Sequence, residues 1–383
     1  MKILAIICEF NPFHNGHKYL IEQAKLKSGC DKVLCIMSGN FTQRGEMCIF
    51  DKYTRARHAI LGGADCVIQL PSPFAVAPAE IFAAGAVKIL SSIPEIKTLA
   101  FGSESGDTES FKVAANFLID ESNKFKRVLE EKLKNGESYI KSYASAFEEC
   151  GGDSTIVQNP NNILGLEYTK SLLRLRSDID ILPIKRTGAS YNDCSLCDNF
   201  SSASAIRKNL GNKQVEGNVP PYVFSDLKFA THMQGYDNYL KHCLFMTGAD
   251  ELRQVYGCSE GLENKLKSLE NCDIDTIVEG ATSKRYSSSR VRRILCANAL
   301  NCRQADTEKF LQSDLYLKIL AVKKYCADGI LSTLSQSTYP LLTGVDDSTL
   351  TPTAKQCFER DKYELKLYNH INNLKIKDYM ILV

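Results

Sequence analysis

At 383 residues the chain is longer than one hydrophobic core usually organises, which points to two domains and excludes a short structural peptide. Its 47 Lys and Arg nearly balance 45 Asp and Glu, and 44% apolar residues with 23 Gly and 11 Pro exclude a disordered or collagenous chain, so any polyanion-binding surface must be local. Fifteen cysteines, scattered singly apart from one C-x-x-C at Cys194 and Cys197, suit a reducing cytoplasm better than a disulfide framework.

The opening apolar run KILAIIC is too short for a signal peptide and lacks a small-residue cleavage pattern, so the chain is expected to begin inside its own fold. After it come a helical pattern (GHKYLIEQAKLKS), a strand (KVLCIMS), a helix (DKYTRARHAILGG), a strand (DCVIQL), an Ala-rich helix within residues 74–90, and a strand (IKTLAFGS). The Ala-rich run is broken by Pro78, Glu80 and Lys88, too interrupted for a membrane span. Alternating strands and helices predict a parallel sheet with helices on both faces, and strand runs that are almost wholly apolar fit a sheet covered on both sides. Ligands in such sheets bind beyond the carboxyl ends of the strands, which puts the segments after Cys8, Met37, Leu70 and Phe101 on one rim. Charged helices from Asp107, a GGDS break, a capped helix in QNPNNILGLEYTKSLLRLR and a fifth strand in DIDILPIKR follow. GNKQVEGNVPPYVF, with adjacent prolines, is the best linker. Helical periodicities dominate beyond it, with no strand alternation. The expected architecture is an α/β, Rossmann-like doubly wound parallel sheet in residues 1–212, followed by a mainly α-helical domain in 213–383.

The string Glu9-Phe10-Asn11-Pro12-Phe13-His14-Asn15-Gly16-His17 directly follows the first strand and opens a helix. Gly16 lets the backbone approach a ligand, the helix start from Gly16 to Lys18 offers unpaired N–H groups and the positive dipole end, and two imidazoles can donate to phosphate oxygens. Such a set stabilises charge on a pentacoordinate phosphorus. Two histidines at this spacing also serve as a metal pair or as ordinary caps. Late in the sheet domain Ser201-Ser202-Ala203-Ser204-Ala205-Ile206-Arg207 opens another helix. Its hydroxyls and Arg207 make a cradle for the β and γ phosphates, whereas a plain N-cap would account for Ser202 alone.

The loop at residues 37–46 carries Ser38, Gly39, Asn40, Gln43, Arg44 and Gly45, a composition suited to a carboxylate or an entering nucleotide, and nearly as well to a solvated loop. Asp51 should cap the next helix, where Lys52 or Arg55 could reach phosphate and His58 should pack. Cys194 and Cys197 lack a partner pair or a neighbouring His, which argues against zinc. In TSKRYSSSRVRR, residues 282–293, Lys284, Arg285, Arg290, Arg292 and Arg293 surround Tyr286 with no acidic residue. This composition binds a nucleic-acid backbone and stacks an unpaired base, or is a solvated basic helix, or folds back over a triphosphate.

H-x-G-H together with the serine-rich I-R segment resembles the paired signatures of the nucleotidyltransferase superfamily, which attacks the α-phosphate of a nucleoside triphosphate and releases pyrophosphate. The wider string (EFNPFHNGH, MSGNFTQRGE, DKYTRARHAILGGADCVIQLP, FGSES, NPNNILGLEY, KRTGASYND, SASAIR, TSKRYSSSRVRRIL) is similar to the bacterial tRNA(Met) cytidine acetate ligases, from residue 2 to about 295 and more weakly beyond. Ala203 departs from the general superfamily signature but matches the usual form in this family; Asn192 stands where many relatives have His, which leaves its role open. The resemblance implies that ATP activates acetate as acetyl-adenylate and that the acetyl group passes to N4 of the wobble cytidine of elongator tRNA(Met), giving N4-acetylcytidine. It implies a cytoplasmic enzyme, Mg²⁺ on the phosphates, and neither a membrane nor a protein partner.

Carried over by motif, the implied ATP site is Ile7, Cys8, Glu9, Phe10, Asn11, Pro12, Phe13, His14, Asn15, Gly16, His17, Lys18, Tyr19 and Leu20, with His14 and His17 catalytic, joined by Gly102, Asn162, Arg186 and Thr187. Phosphate contacts fall to Ser202, Ser204 and Arg207, and RNA contacts to Lys284, Arg285, Tyr286, Arg290, Arg292 and Arg293. Gly102 is expected in a turn after its strand, beside the nucleoside. Of Asn161 and Asn162, one is expected to cap a helix and the other to touch ligand. No general base is assigned. Two other readings fit the residues: a cofactor-forming nucleotidyltransferase acting on a small phosphorylated substrate, and a non-catalytic RNA-binding relative.

Overall fold

A computed structural model describes residues 1–119, 123–135, 139–186 and 200–383. Five parallel strands form its centre: β1 Ile3–Cys8, β2 Lys32–Ser38, β3 Cys66–Leu70, β4 Ile96–Ser103 and β5 Asp180–Lys185. They lie in the order β5-β4-β1-β2-β3, with Ile6 of β1 paired to Cys35 on one side and to Ala100 on the other. The chain turns back between β1 and β4, so a ligand crevice opens beyond their carboxyl ends.

The largely apolar strands have a simple cause. Side chains alternate along a strand, and both faces of this sheet are covered. Ile3, Ala5 and Ile7 point into a core with Phe82 and Val87 of helix α3 (Ala79–Ser91) and Leu166 and Tyr168 of α4 (Pro160–Arg174). Leu4, Ile6 and Cys8 point the other way, towards Phe13, Ile21 of α1 (Asn15–Ser28) and Ala56 of α2 (Lys52–Leu61). The second motif opens α5 (Ala203–Lys208).

From Pro221 to Gln312 the chain is helical, as expected, and includes α6 (Ser288–Ala299). These helices share a third core built on Tyr236, Leu240, Ile277, Ile294 and Leu295; it also takes in Phe41 and Met47 from the loop after β2. One element departs from expectation. Leu317–Val322, which reads as part of a helical run, is a strand, β6, antiparallel to β3, and all six residues are buried. A short apolar run buried on both faces carries no period that separates strand from helix. Two-residue strands β7 (Leu341–Leu342) and β8 (Ile381–Leu382) pair with β6, and the long helix α7 (Pro352–Ile371) packs beneath the loop after β2. The last segment of the chain therefore returns to the sheet. No helix among the described residues is long and apolar enough to cross a membrane, and none of the described cysteines is in a disulfide.

Candidate active site

Beyond Cys8 the chain turns sharply into α1. Phe10 adopts φ 50°, a left-handed conformation that costs a non-glycine residue, and its ring packs edge-on against Phe13 with centroids 4.9 Å apart. His14 then caps α1. Its Nδ1 accepts the Gly16 N–H at 3.1 Å, and Nδ1 of His17 reaches back to accept the His14 N–H at 3.2 Å, a capping box made of two imidazoles. The rings stack with centroids 3.6 Å apart.

This arrangement fixes the tautomers. A ring nitrogen that accepts a hydrogen bond carries no proton, so both neutral imidazoles hold theirs on Nε2. Burial keeps them neutral: it pushes His14 down to about 3, helped by the positive charges of Arg186 and Arg207, and it lowers His17 well below the usual range, helped by His14 and Arg186. The expected unpaired backbone donors are not there, because Gly16 N–H goes to the His14 ring while the His17 and Lys18 N–H groups go to the His14 carbonyl. What the motif offers is a pair of Nε2–H donors. Gly16 is required for a related reason: a Cβ there would sit 2.9 Å from Cε1 of His14, so the residue makes room for the capping ring.

The histidines border a cleft with two lobes. Ile7, Cys8, Glu9, Phe10, His14, His17, Asn161, Leu164, Tyr168 and Arg186 line both. One lobe adds apolar walls from Tyr19, Leu20, Phe101, Ile184 and Phe200 with Gly102; the other adds Asn11, Thr42, Gln43, Arg44, Glu46, Ser202, Ser204 and Arg207. Among the described residues Arg186 makes no side-chain hydrogen bond or ion pair, leaving its charge to the cleft. Arg207 is anchored by the Asn11 carbonyl at 2.6 Å, by Ser204 Oγ at 3.3 Å and by the Glu46 carboxylate.

A model of the HIGH Nucleotidyl Transferase family matches residues 1–380. A tRNA(Met) cytidine acetate ligase of Clostridium botulinum is 38% identical over 377 residues, covering 90% of this chain and 92% of that protein. One from Acetivibrio thermocellus is 35% identical over 393 residues, covering 96% and 94%. The chain belongs to the tRNA(Met) cytidine acetate ligase family. Two crystal structures of Thermotoga maritima TmcAL, 27% identical, match over the full length of both chains: the apo form with a TM-score of 0.91 and the form bound with alpha-thio ATP with 0.88.

The residues implied by the acetate ligase family divide into three groups. Ile7 to Asn11, His14, Gly16, His17, Tyr19, Leu20, Gly102, Arg186, Ser202, Ser204 and Arg207 border the cleft. Pro12, Phe13, Asn15 and Lys18 do not; Phe13 is core, Asn15 Nδ2 donates to the Gly217 carbonyl at 2.8 Å, and Lys18 points outward to Glu22. Thr187, with Asn192, Cys194 and Cys197, lies outside the described residues. Gly102 is not in a turn: it is a strand residue of β4, paired with Ile184. Asn162 does not border the cleft: it is fully buried, its Oδ1 accepting from Ser103 Oγ and the Glu104 N–H and its Nδ2 donating to the Thr155 carbonyl, and neither it nor Asn161 caps α4, whose N-cap residue is Asn159. Asn161 is the amide that faces the cleft, and it shares one face of α4 with Leu164 and Tyr168, spaced i, i+3 and i+7. That spacing is the sequence feature that would have found Leu164 and Tyr168. Ser202 is an N-cap, accepting the Ala205 N–H at 3.1 Å.

Two other expectations need correction. Lys52 and Arg55 do not reach phosphate, because both are fully buried. Lys52 Nζ binds Gln69 Oε1 at 2.8 Å and pairs with Asp378 at 3.2 Å, while Arg55 donates to the carbonyls of Phe50, Glu9, Ser38 and Gly39. In the basic segment, Tyr286 is not available to stack on a base. Its ring is buried under Arg290, whose guanidinium lies 4.6 Å from the ring centroid, and its hydroxyl donates to the Ser259 carbonyl at 2.7 Å. Arg290 itself is held by the Gly257 carbonyl, and Arg292 by Asp275 at 2.6 Å. Lys284 and Arg285 are exposed, Arg285 against Glu260 at 2.8 Å. Arg293 turns inward, donating to the Gln43 carbonyl, and burial pushes it down to about 10. The backbone of Arg292 and Arg293 lies so close to Gly45, φ 76°, that a Cβ at Gly45 would meet the Arg292 carbonyl at 2.4 Å. The basic segment thus seats directly on the loop that walls the cleft.

Proposed function

We propose that this protein activates acetate with ATP and passes the acetyl group to N4 of the wobble cytidine of elongator tRNA(Met). The observation that carries the reading is the stacked His14–His17 pair, neutral and with both Nε2–H groups left as donors at the cleft, in a chain of the acetate ligase family. Acetate oxygen attacks the α-phosphorus, pyrophosphate leaves, and two fixed neutral donors meet the charge that grows on the phosphate oxygens. Arg186, which has no side-chain partner among the described residues, adds a positive charge at the same place. The apolar lobe suits the nucleoside, and the lobe with Arg44, Gln43 and Arg207 suits the remaining phosphates. Among the described residues no three His, Cys, Asp or Glu converge on one point, so Mg²⁺ would travel on the triphosphate and keep its own waters, held by no protein cage.

Catalysis falls to the sheet layer and tRNA contact to the helical layer, where Lys284 and Arg285 are the exposed cations of the basic segment. A cytoplasmic location agrees with the free thiols. The test is direct: incubate the protein with ATP, labelled acetate and unmodified tRNA(Met), digest the RNA, and look for labelled N4-acetylcytidine. No labelled nucleoside from folded protein would end the acetate-ligase reading.

A further inference from the structure

We propose that Glu9 is the general base of the second half-reaction, taking the proton that the cytidine amine must lose when it attacks the acetyl carbonyl. The inference rests on the function proposed above. The chemistry requires such a group: the N4 lone pair forms the C–N bond, the C–O bond to AMP breaks with its electrons going to the phosphate, and one N4 proton has to be accepted.

The cleft holds few acceptors. His14 and His17 have spent their Nδ1 lone pairs on backbone N–H groups and present only donors. Glu46 is committed to Arg207. Glu9 is different, because its hydrogen bonds converge on one oxygen. Oε1 accepts from Ser38 Oγ at 3.2 Å and from the Gln43 N–H at 2.7 Å, whereas Oε2 has no partner among the described residues. The carboxylate is thus locked in orientation by its back oxygen, with the other left for a ligand.

Its position fits as well. Glu9 lines both lobes of the cleft, and the α-phosphate, which joins nucleoside to the outer phosphates, must sit where the lobes meet. The acetyl group carried on that phosphate is therefore within reach of Glu9. The charged and titratable groups around it are Arg44 and Glu46 from the loop, Arg55 of α2 on its backbone carbonyl, the buried Cys8 and Cys48 thiols, and, along the same cleft, His14, His17 and Arg186. Burial raises the Glu9 carboxyl above its ordinary value against the opposing pull of the Gln43 N–H and Arg44, which strengthens it as a base.

Two half-reactions separate this role from any other. Acetate-dependent exchange of labelled pyrophosphate into ATP reports adenylation, and single-turnover transfer from preformed enzyme-bound acetyl-adenylate reports the second step. Glu9→Gln should slow transfer at least ~100-fold more than it slows exchange. Equal losses in both would make Glu9 a support of the loop, and transfer at the normal rate would remove it from the chemistry; either result overturns the proposal. Ser38→Ala, which keeps the carboxylate but deletes one donor to it, should move the inflection of the transfer rate to higher pH, a shift that a structural Glu9 does not produce. An unmoved inflection also overturns it. Should the unaltered protein fail to acetylate tRNA at all, the fault lies with the proposed function and not with Glu9.

Discussion

Two sets of charged side chains lie on either side of the loop at residues 38–46, and they are put to opposite uses. On the cleft side Arg186, Oε2 of Glu9 and the two imidazole Nε2–H groups have no partner among the described residues. Beneath the loop, Arg55, Lys52, Lys318, Asp361, Glu364 and Asp378 are buried and bonded to the protein. Glu364 of α7 accepts from the Asn40 N–H, from Gln69 Nε2 at 3.2 Å and from Ser72 Oγ at 2.7 Å; Lys318 binds the carbonyls of Gly344 and Asp378. A buried charge is tolerated when its bonds are closed, and a binding site needs them open. In the closed set, Arg55, Lys52 and Glu364 bond directly to Ser38, Gly39 and Asn40 of the loop, and the open set is the one proposed to meet ligand.

The sharpest way to break this contrast is to remove one cation from each side. Arg55→Met strips four backbone carbonyls of their donor and leaves Glu364 short of positive charge, and should cost about 3–5 kcal/mol of stability, read by urea denaturation. His17→Ala, on the cleft side, should instead lower the rate of adenylation by roughly 10²–10³, on the scale of losing one oxyanion donor. Its stability should fall by only about 0.5–2 kcal/mol, the worth of a cap. Comparable stability losses from the two variants would erase the distinction. Because both imidazoles are already neutral, the adenylation rate should also show no histidine limb between pH 5 and 8.

The same contrast explains what could be read without coordinates. The strands of the parallel sheet were legible because most of their residues are apolar, those of β1 on both faces, and the crevice was legible because it must follow β1 and β4. Asp51 capping α2 was legible because a short acceptor at a helix start has one common use. Lys52 and Arg55 were not, since a cation in the first turn of a helix looks the same whether it meets a phosphate or a carbonyl. The carbonyls come from residues 9, 38, 39 and 50, a convergence that only the folded chain produces. Asn161 and Asn162 were likewise inseparable in sequence, because adjacent helix residues point about 100° apart and only the tertiary contact decides which one meets the wall. β6 hid inside an apolar run.

A further test concerns protons in the closed set. Ser72 Oγ lies 2.8 Å from Asp361 Oδ1 and 2.7 Å from Glu364 Oε2, yet a hydroxyl has one hydrogen to give, so one carboxyl of the pair must hold a proton and donate it. Burial and the neighbouring Glu364 push Asp361 up to about 7, against the pull of Ser72, Tyr316 and Lys52. The folded protein therefore binds a proton there that the unfolded chain, near 3.8, releases. Stability should fall as pH rises from about 4 to about 7, with a slope of up to about 1.4 kcal/mol per pH unit. Asp361→Asn should flatten that slope in denaturation curves taken across the same range; an unchanged slope would place the proton elsewhere.

The smallest effects are expected in the basic segment, where open and closed residues alternate within a few positions. Tyr286 and Arg290 belong to the closed kind, since the ring is covered, its hydroxyl is bonded to Ser259 and the guanidinium is tied to Gly257. Tyr286→Phe removes one hydrogen bond and should cost about 0.5–1.5 kcal/mol of stability while leaving tRNA affinity unchanged. Lys284 and Arg285 stand in solvent, and an exposed ion pair such as Arg285 with Glu260 is readily exchanged for phosphate. Replacing either with Ala should reduce the slope of log affinity against log salt by about 0.7–0.9 and barely alter stability. If Tyr286→Phe weakens tRNA binding while the two cations prove silent, the buried ring is exposed in the complex, and the helical layer must open on the loop that walls the cleft whenever tRNA arrives.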